Sequence, residues 1–228
     1  VYIHIRTYLQ LSGNNILKLL LRDTQKIPLA IPIINDLSLY FCFQIQNMRK
    51  LKISELNRLT PEEFKLTEKH RVIAILDNVR SLHNVGSIFR TADALCIESV
   101  YLCGITATPP NNEIHKTALG AEDAVDWKYF AETTDAVAHL KKDAYTIVAV
   151  EQAEGSLMLT DFVAQKDAKY ALIFGNEVKG VQQQVIDLCD LCVEIPQYGT
   201  KHSFNVSVSA GIVLWEAIKQ LKKTPYDR

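Results

Sequence analysis

Three short stretches carry the side chains of this chain that could do chemistry. The first runs Asp77-Asn78-Val79-Arg80-Ser81-Leu82-His83-Asn84-Val85-Gly86 and reaches Arg90 six residues after Asn84. Asn84 is a natural helix cap, which is its structural reading. Gly86 permits close backbone approach. Arg90 stands among Ile88, Phe89 and Ala92, so the pattern predicts partial burial, where a guanidinium fork best serves a phosphate or carboxylate. The second stretch is Phe174-Gly175-Asn176-Glu177-Val178-Lys179-Gly180, an apolar strand breaking into a polar turn. The third is Ile195-Pro196-Gln197-Tyr198-Gly199-Thr200-Lys201-His202-Ser203-Phe204-Asn205, a strand end leading through a loop into a long helix. Loops and helix starts of this kind present unpaired donors to a ligand.

Several familiar chemistries are absent. Ser203 does not lie in GxSxG, which removes the hydrolase elbow. Neither GxxxxGK[ST] nor GxGxxG occurs, so a phosphate loop and a standard dinucleotide fold have no support. His115 and His202 lack metal-ligand spacing and read as surface or hydrogen-bonding histidines. The five cysteines, Cys42, Cys96, Cys103, Cys189 and Cys192, are scattered and odd in number. They read as buried reduced thiols, with a zinc or redox site at the single CxxC of Cys189 and Cys192 as the alternative.

The elements that must position these stretches alternate between strand and helix. A short helical segment is predicted over 53–66, with Thr60-Pro61-Glu62-Glu63 as a good helix start. Strands are predicted over 71–76, 98–103, 125–130, 145–150, 170–174 and 191–195. Helices are predicted over 85–95, 134–142 (with Thr133 as cap), 182–188 and 205–222, and a loop over 106–112. In the last helix, Val206, Ala210, Val213, Leu214, Ala217, Ile218 and Leu221 make an apolar stripe. This alternation implies an α/β fold: a mostly parallel sheet with helices on both faces.

At 228 residues, 48% apolar and 22% charged, the chain has the composition of a soluble globular protein. No apolar run spans a bilayer, so no membrane partner is expected. The net charge of −1 hides an asymmetry: residues 1–90 carry +6 and residues 91–228 carry −7. A basic first portion is compatible with a local anionic partner such as nucleic acid, or with ordinary solvated faces. Residues 1–47 show no sustained period, and Met48 opens a new pattern. We expect Met48 as the natural start, 1–47 as an extension outside the core, 48–70 as a short basic helical segment and 71–228 as the main domain.

Taken together and in order, Asn84-Val-Gly with Arg90-Thr-Ala, Phe174-Gly-Asn-Glu177, and Ile195-Pro with Ser203-Phe-Asn205-Val-Ser-Val resemble the motifs of the SpoU (TrmH-type) family of RNA 2′-O-ribose methyltransferases. The resemblance implies a SPOUT fold whose C-terminal part is threaded into a trefoil knot. It implies S-adenosylmethionine as methyl donor with no metal, in a pocket involving Val150, Gly175, Ile195, Ser203 and Phe204. Phe204 stands where the family commonly has leucine. By the same resemblance Arg90 orients the phosphate and the attacking hydroxyl, since arginine cannot act as a free base near neutrality. Asn84, Glu177, Ser203 and Asn205 hold Arg90 and the ribose. The implied partner is structured RNA, with a tRNA guanosine favoured and a 23S rRNA site as alternative, and the implied state is a cytoplasmic homodimer. A catalytically inactive RNA-binding protein on the same scaffold is the reading from a different class.

Overall fold

A computed structural model describes residues 49–221. The chain divides into two compact units, Val1–Asn57 and Arg58–Arg228. Within the described part of the first, residues Ile53–Glu55 form a 3-10 turn, and the Arg49 guanidinium forks the Glu55 carboxylate at 2.7 and 2.9 Å. The expectations for 1–47 and for Met48 lie outside the described residues.

The second unit opens with helix α1 (Pro61–Leu66), which is held by a capping box. Thr60 Oγ1 accepts from the Glu63 amide at 3.2 Å, and Glu63 returns a carboxylate oxygen to the Thr60 amide at 2.8 Å. The helix predicted over 53–66 is therefore two pieces. Strand β1 (His70–Asp77) leads to α2 (Leu82–Ala94) and β2 (Ile97–Cys103). Two short helices follow, α3 (Asn112–Ala118) and α4 (Ala121–Ala124). Next come β3 (Trp127–Phe130), α5 (Thr133–Lys142), β4 (Tyr145–Val150) and the two-residue β5 (Leu157–Met158). Strand β6 (Lys169–Phe174), α6 (Gln183–Ile186), β7 (Leu191–Glu194) and α7 (Val206–Leu221) complete the unit.

The seven strands lie in the order β3-β2-β1-β6-β4-β7-β5, and every pairing is parallel. The chain lays β1, β2 and β3 in one direction and crosses to place β4 and β5 on the other side. It then inserts β6 between β1 and β4, and β7 between β4 and β5. Alternate β1 residues feed two cores, as strand geometry requires. Val72, Ala74 and Leu76 pack with Ile88 and Phe89 of α2 and with Val213 and Leu214 of α7. Ile73 and Ile75 pack with Val137 and Leu140 of α5 and Val185 of α6. Each of the larger of these side chains contributes about 1.5–3 kcal/mol on burial, so the centre of the sheet is a firm base for the loops at its edge. Helices therefore cover both faces, as the alternation predicts.

Two capping expectations, those for Asn84 and Thr133, resolve differently. Ser81 caps α2, its hydroxyl accepting from the Asn84 amide at 3.3 Å, so Asn84 is inside the helix and free for another use. Thr133 does not cap α5; its hydroxyl donates to the buried Asp77 carboxylate at 2.6 Å. Asn205 lies just outside α7, where its side-chain oxygen accepts from the Ser207 amide at 2.9 Å. The 106–112 loop ends in a helix start that the sequence reading missed, with Asn111 capping α3. The apolar stripe of α7 is buried from Val206 to Ile218. No helix among the described residues is long and apolar enough to cross a membrane.

Among the described cysteines all four thiols are free. Burial pushes the Cys103 and Cys189 thiols up to about 12. Cys189 and Cys192 donate to separate carbonyls, those of Val185 and Glu151. Each thiol is thus engaged with the protein itself, which fits the reduced-thiol reading.

Candidate active site

The parallel register brings the C-terminal ends of four strands side by side: Leu76 pairs with Phe174, Val150 with Phe174, and Val150 with Val193. The loops after β1, β4, β6 and β7 therefore converge on one edge of the sheet, where open parallel sheets build ligand sites. Three of these loops enclose a cleft of about 500 Å³. Val150, Gly175, Ile195, Ser203 and Phe204, the five residues expected at a cofactor, all line it. Glu177 and Asn205 line it too.

Asn84 sits behind the cleft, 8% exposed, and joins the loops after β6 and β7. Its amide nitrogen donates to Glu177 Oε1 at 3.1 Å, while its oxygen accepts from Asn205 Nδ2 at 3.1 Å and Ser207 Oγ at 3.5 Å. Glu177 also accepts from the backbone amides of Arg80 and Ser81 at 3.0 and 2.9 Å. Desolvation alone raises the Glu177 pKa, but these donated hydrogen bonds outweigh it and hold the carboxyl below its usual range. A carboxylate so engaged is an anchor and a poor base. The relay Glu177–Asn84–Asn205 thus ties the end of β6 to the starts of α2 and α7.

The walls are fixed by buried polar groups and by glycine. The fully buried Asp77 accepts from the Gln182 amide at 3.0 Å, from Gln182 Nε2 at 2.9 Å, and from Thr133. Asn176 Nδ2 donates to the Asn78 carbonyl at 2.7 Å, fastening the β6 loop to the β1 loop. That β6 loop closes on itself through two bonds between the backbones of Asn176 and Gly180. A Cβ on Gly175 would overlap the backbone of Gly180 and Val181, so only glycine fits there. Glu151, just past β4, accepts from the Val181 amide at 2.8 Å. Gln152 Nε2 donates to the His202 carbonyl at 3.1 Å, pinning the loop before α7.

Arg90 departs from expectation. It is exposed, not partly buried, and among the described residues nothing pairs with it. Six residues along a helix amount to about 9 Å of rise and a turn of about 240° beyond one full circle. Arg90 therefore faces away from Asn84 and lines a separate groove with Ser87, Thr91, Lys116 and Trp215. Glu177 holds Asn84 and the β1 loop; it does not hold Arg90. The Ser203 hydroxyl makes no hydrogen bond to the described residues and opens to the cleft. His115 pairs with Glu122 at 2.6 Å, and His202 lines the cleft. Asn176, Gln197 and His202 stand in the stretches singled out from the sequence but were given no role there, and Glu151 and Gln152 were missed altogether. For Glu151 and Gln152 a signal existed: they are the first polar residues past an apolar parallel strand.

The chain matches the model of the SpoU rRNA Methylase family over residues 71–215. It is 31% identical over 150 residues to the 23S rRNA (guanosine-2′-O-)-methyltransferase RlmB of Xylella fastidiosa, covering 65% of this chain and 59% of that protein. The chain thus spans less than two thirds of the length of such relatives. It is 30% identical over 176 residues to the tRNA (guanosine(18)-2′-O)-methyltransferase of Thermus thermophilus, covering 77% of this chain and 89% of that one. Among solved structures, the AdoMet-bound rRNA methyltransferase from Sinorhizobium meliloti superposes with a TM-score of 0.63 at 27% identity, covering 73% of this chain and 62% of its own. The A. aeolicus TrmH/SpoU tRNA modifying enzyme gives 0.62 at 26% identity, over 70% of this chain and 81% of its own. With its three polar stretches all inside the matched span and its strand ends gathered around one cleft, the chain belongs to the SpoU rRNA methylase family.

Proposed function

We propose that this protein transfers a methyl group from S-adenosylmethionine to a ribose 2′-hydroxyl of a structured RNA. The observation that carries the reading is the Glu177–Asn84–Asn205 relay set behind a cleft that all five expected cofactor residues line. The cleft suits the cofactor: its volume of about 500 Å³ lies in the range of small-molecule sites, with apolar walls from Val150, Phe174, Ile195 and Phe204. Those walls take a flat ring, and the backbone of the three loops supplies donors and acceptors. When bound, S-adenosylmethionine supplies an already activated methyl electrophile.

The chain's own residues position the hydroxyl. Ser203, with no bond to the described residues, and Asn205 face the cleft and hold the ribose. Asn84 and Glu177 keep Asn205 in place from behind. Arg90 binds the phosphate beside the target nucleotide and so aligns the 2′-oxygen; its guanidinium remains charged throughout. The protein acts as a homodimer in the cytoplasm. The outer side of α7 carries Val208 and Trp215, 48% and 45% exposed, next to the Arg90 groove, and a second copy docked there sets Arg90 at the seam. The segment from Ile195 to the end of α7 forms the threaded part of the trefoil knot.

A guanosine in tRNA is the favoured target. The match to the Thermus thermophilus tRNA enzyme spans 89% of that protein, so the residues in hand correspond to most of what that relative uses. A 23S rRNA guanosine is the second reading, supported by the RlmB relatives. The test is calorimetry with S-adenosylmethionine, followed by mapping of 2′-O-methyl groups in tRNA and rRNA incubated with the protein. Micromolar binding and one new methylated guanosine are expected. Absence of binding at millimolar ligand overturns the reading. Arg90→Ala is expected to bind the cofactor normally and to lose methyl transfer, because Arg90 touches neither the cleft nor the core.

A further inference from the structure

The loop joining β7 to α7 has two faces. Gln197, His202, Ser203 and Phe204 turn toward the cleft. Between them Tyr198 is 97% exposed, whereas Tyr101, Tyr145 and Tyr170 are 3%, 7% and 3% exposed. A side chain this exposed gives the fold almost no burial energy, since that energy scales with the apolar area removed from water. Gly199 next to it has nothing within 4 Å of where a Cβ would sit, so the loop tip stands clear of the protein. Lys201 on the same loop and Lys179 across the cleft are exposed, and among the described residues neither ammonium makes an ion pair. Val178, 77% exposed and lining the cleft beside Lys179, adds an apolar patch to the same rim.

An accessible ring flanked by unpaired cations is the chemistry that holds an unpaired nucleotide: the ring stacks on the base and the ammonium groups meet its phosphates. We infer that Tyr198, with Lys179 and Lys201, forms the subsite that takes the base and flanking phosphates of the target nucleotide as its ribose enters the cleft. This rests on the RNA reading above and adds to it a residue that captures the nucleotide. Stacking tolerates any base, so Tyr198 supplies capture and orientation without choosing among bases. A duplex offers no such face; the target must be unpaired or turned out of its helix before the ring can reach it.

The test compares the full chain with Tyr198→Ala, Tyr198→Phe and Lys201→Ala. Binding is measured to bulk tRNA and to total rRNA from cells lacking the enzyme, alongside cofactor affinity and sedimentation. Loss of one stacked base by alanine substitution costs roughly tenfold or more in affinity. Tyr198→Ala is therefore expected to weaken binding of the substrate RNA about tenfold, with Tyr198→Phe within about twofold of wild type. Lys201→Ala is expected to lower the slope of log affinity against log salt by about 0.7–0.9. Cofactor affinity and sedimentation stay unchanged in all three. The inference is overturned if Tyr198→Ala binds RNA like wild type, if the phenylalanine variant is equally damaged, or if Tyr198→Ala changes the oligomeric state. Binding is read without turnover, so tyrosine-dependent RNA binding without methyl transfer sinks the enzymatic reading and leaves this one standing. A wild-type chain that binds no RNA ends both.

Discussion

Replacing Glu177 by glutamine tests whether the relay depends on a carboxylate. The side chain accepts three N–H groups, the amides of Arg80 and Ser81 and the Asn84 side chain, at 3.0, 2.9 and 3.1 Å. A glutamine oxygen in the Oε1 position keeps Ser81 and Asn84. Its NH₂ then faces the Arg80 amide, donor against donor. A bond to a charged acceptor is worth about 1.5–3 kcal/mol, and the solvent access of Glu177 reduces that to about 1–2 kcal/mol. At this chain length the melting temperature should fall by about 3–6 °C near neutral pH. The pH dependence fixes the cause. The folded-state pKa lies below the ordinary value, because the donated hydrogen bonds outweigh desolvation. The stabilisation is therefore complete above the unfolded-state pKa and is lost as pH falls through the folded one. A protonated glutamate resembles glutamine, so the gap between variant and wild type should narrow steadily as pH falls below the ordinary carboxylate range. Urea denaturation of both proteins across that range is the assay. A gap that is absent at pH 7, or one that persists undiminished in acid, refutes the claim that the charge holds the relay.

Asp77→Asn replaces one acceptor oxygen of a fully buried carboxylate by a donor that faces the donors of Gln182 and Thr133. We expect a loss of about 2–3 kcal/mol in urea titration, partly restored by adding Gln182→Glu, which offers the new NH₂ an acceptor. Gly175→Ala is expected to destabilise by about 2 kcal/mol or more, because the added methyl runs into the backbone of Gly180 and Val181. It should also raise the S-adenosylmethionine dissociation constant by calorimetry more than tenfold, whereas an Ala at open Gly199 should leave it unchanged.

How much could be read beforehand follows from how far apart the partners are. The run Val72–Leu76 announces a strand covered on both faces because burial of consecutive residues is a local pattern, and Thr60 to Glu63 announces its own capping box. Asn84 was open to misreading because Ser81, three residues earlier, has equal capping chemistry. What frees Asn84 is its bonding to residues 93 and 121 positions away. The Thr133 misreading has the same origin, since its partner Asp77 is 56 residues distant. Arg90 is a different kind of error. Its apolar neighbours suggested burial, yet at about 100° per residue Ile88 and Phe89 can face the core while Arg90 faces water. Helix α3 carried a local signal in Asn111 and Glu113 that the preceding prolines obscured, while the two-residue β5 carried none.

The motifs of the cleft were legible in the sequence but its assembly was not, and that follows from its construction. Its position comes from the insertion of β6 and β7 between strands laid down earlier, which no window of sequence contains. Its loops are closed by Gly175 and Gly180 and pinned by Asp77, Glu151 and Asn176, whose side chains bond the protein's own amides. The charged groups near the site are thereby divided by task. Asp77, Glu151 and Glu177 are spent in holding loops, each accepting from backbone amides. The cations Arg90, Lys179 and Lys201 have no ion-pair partner among the described residues and remain available to an anion. A near-neutral chain can attract a polyanion to one edge in this way, because the field there is set by the charges that stand exposed nearest to it and not by the net total.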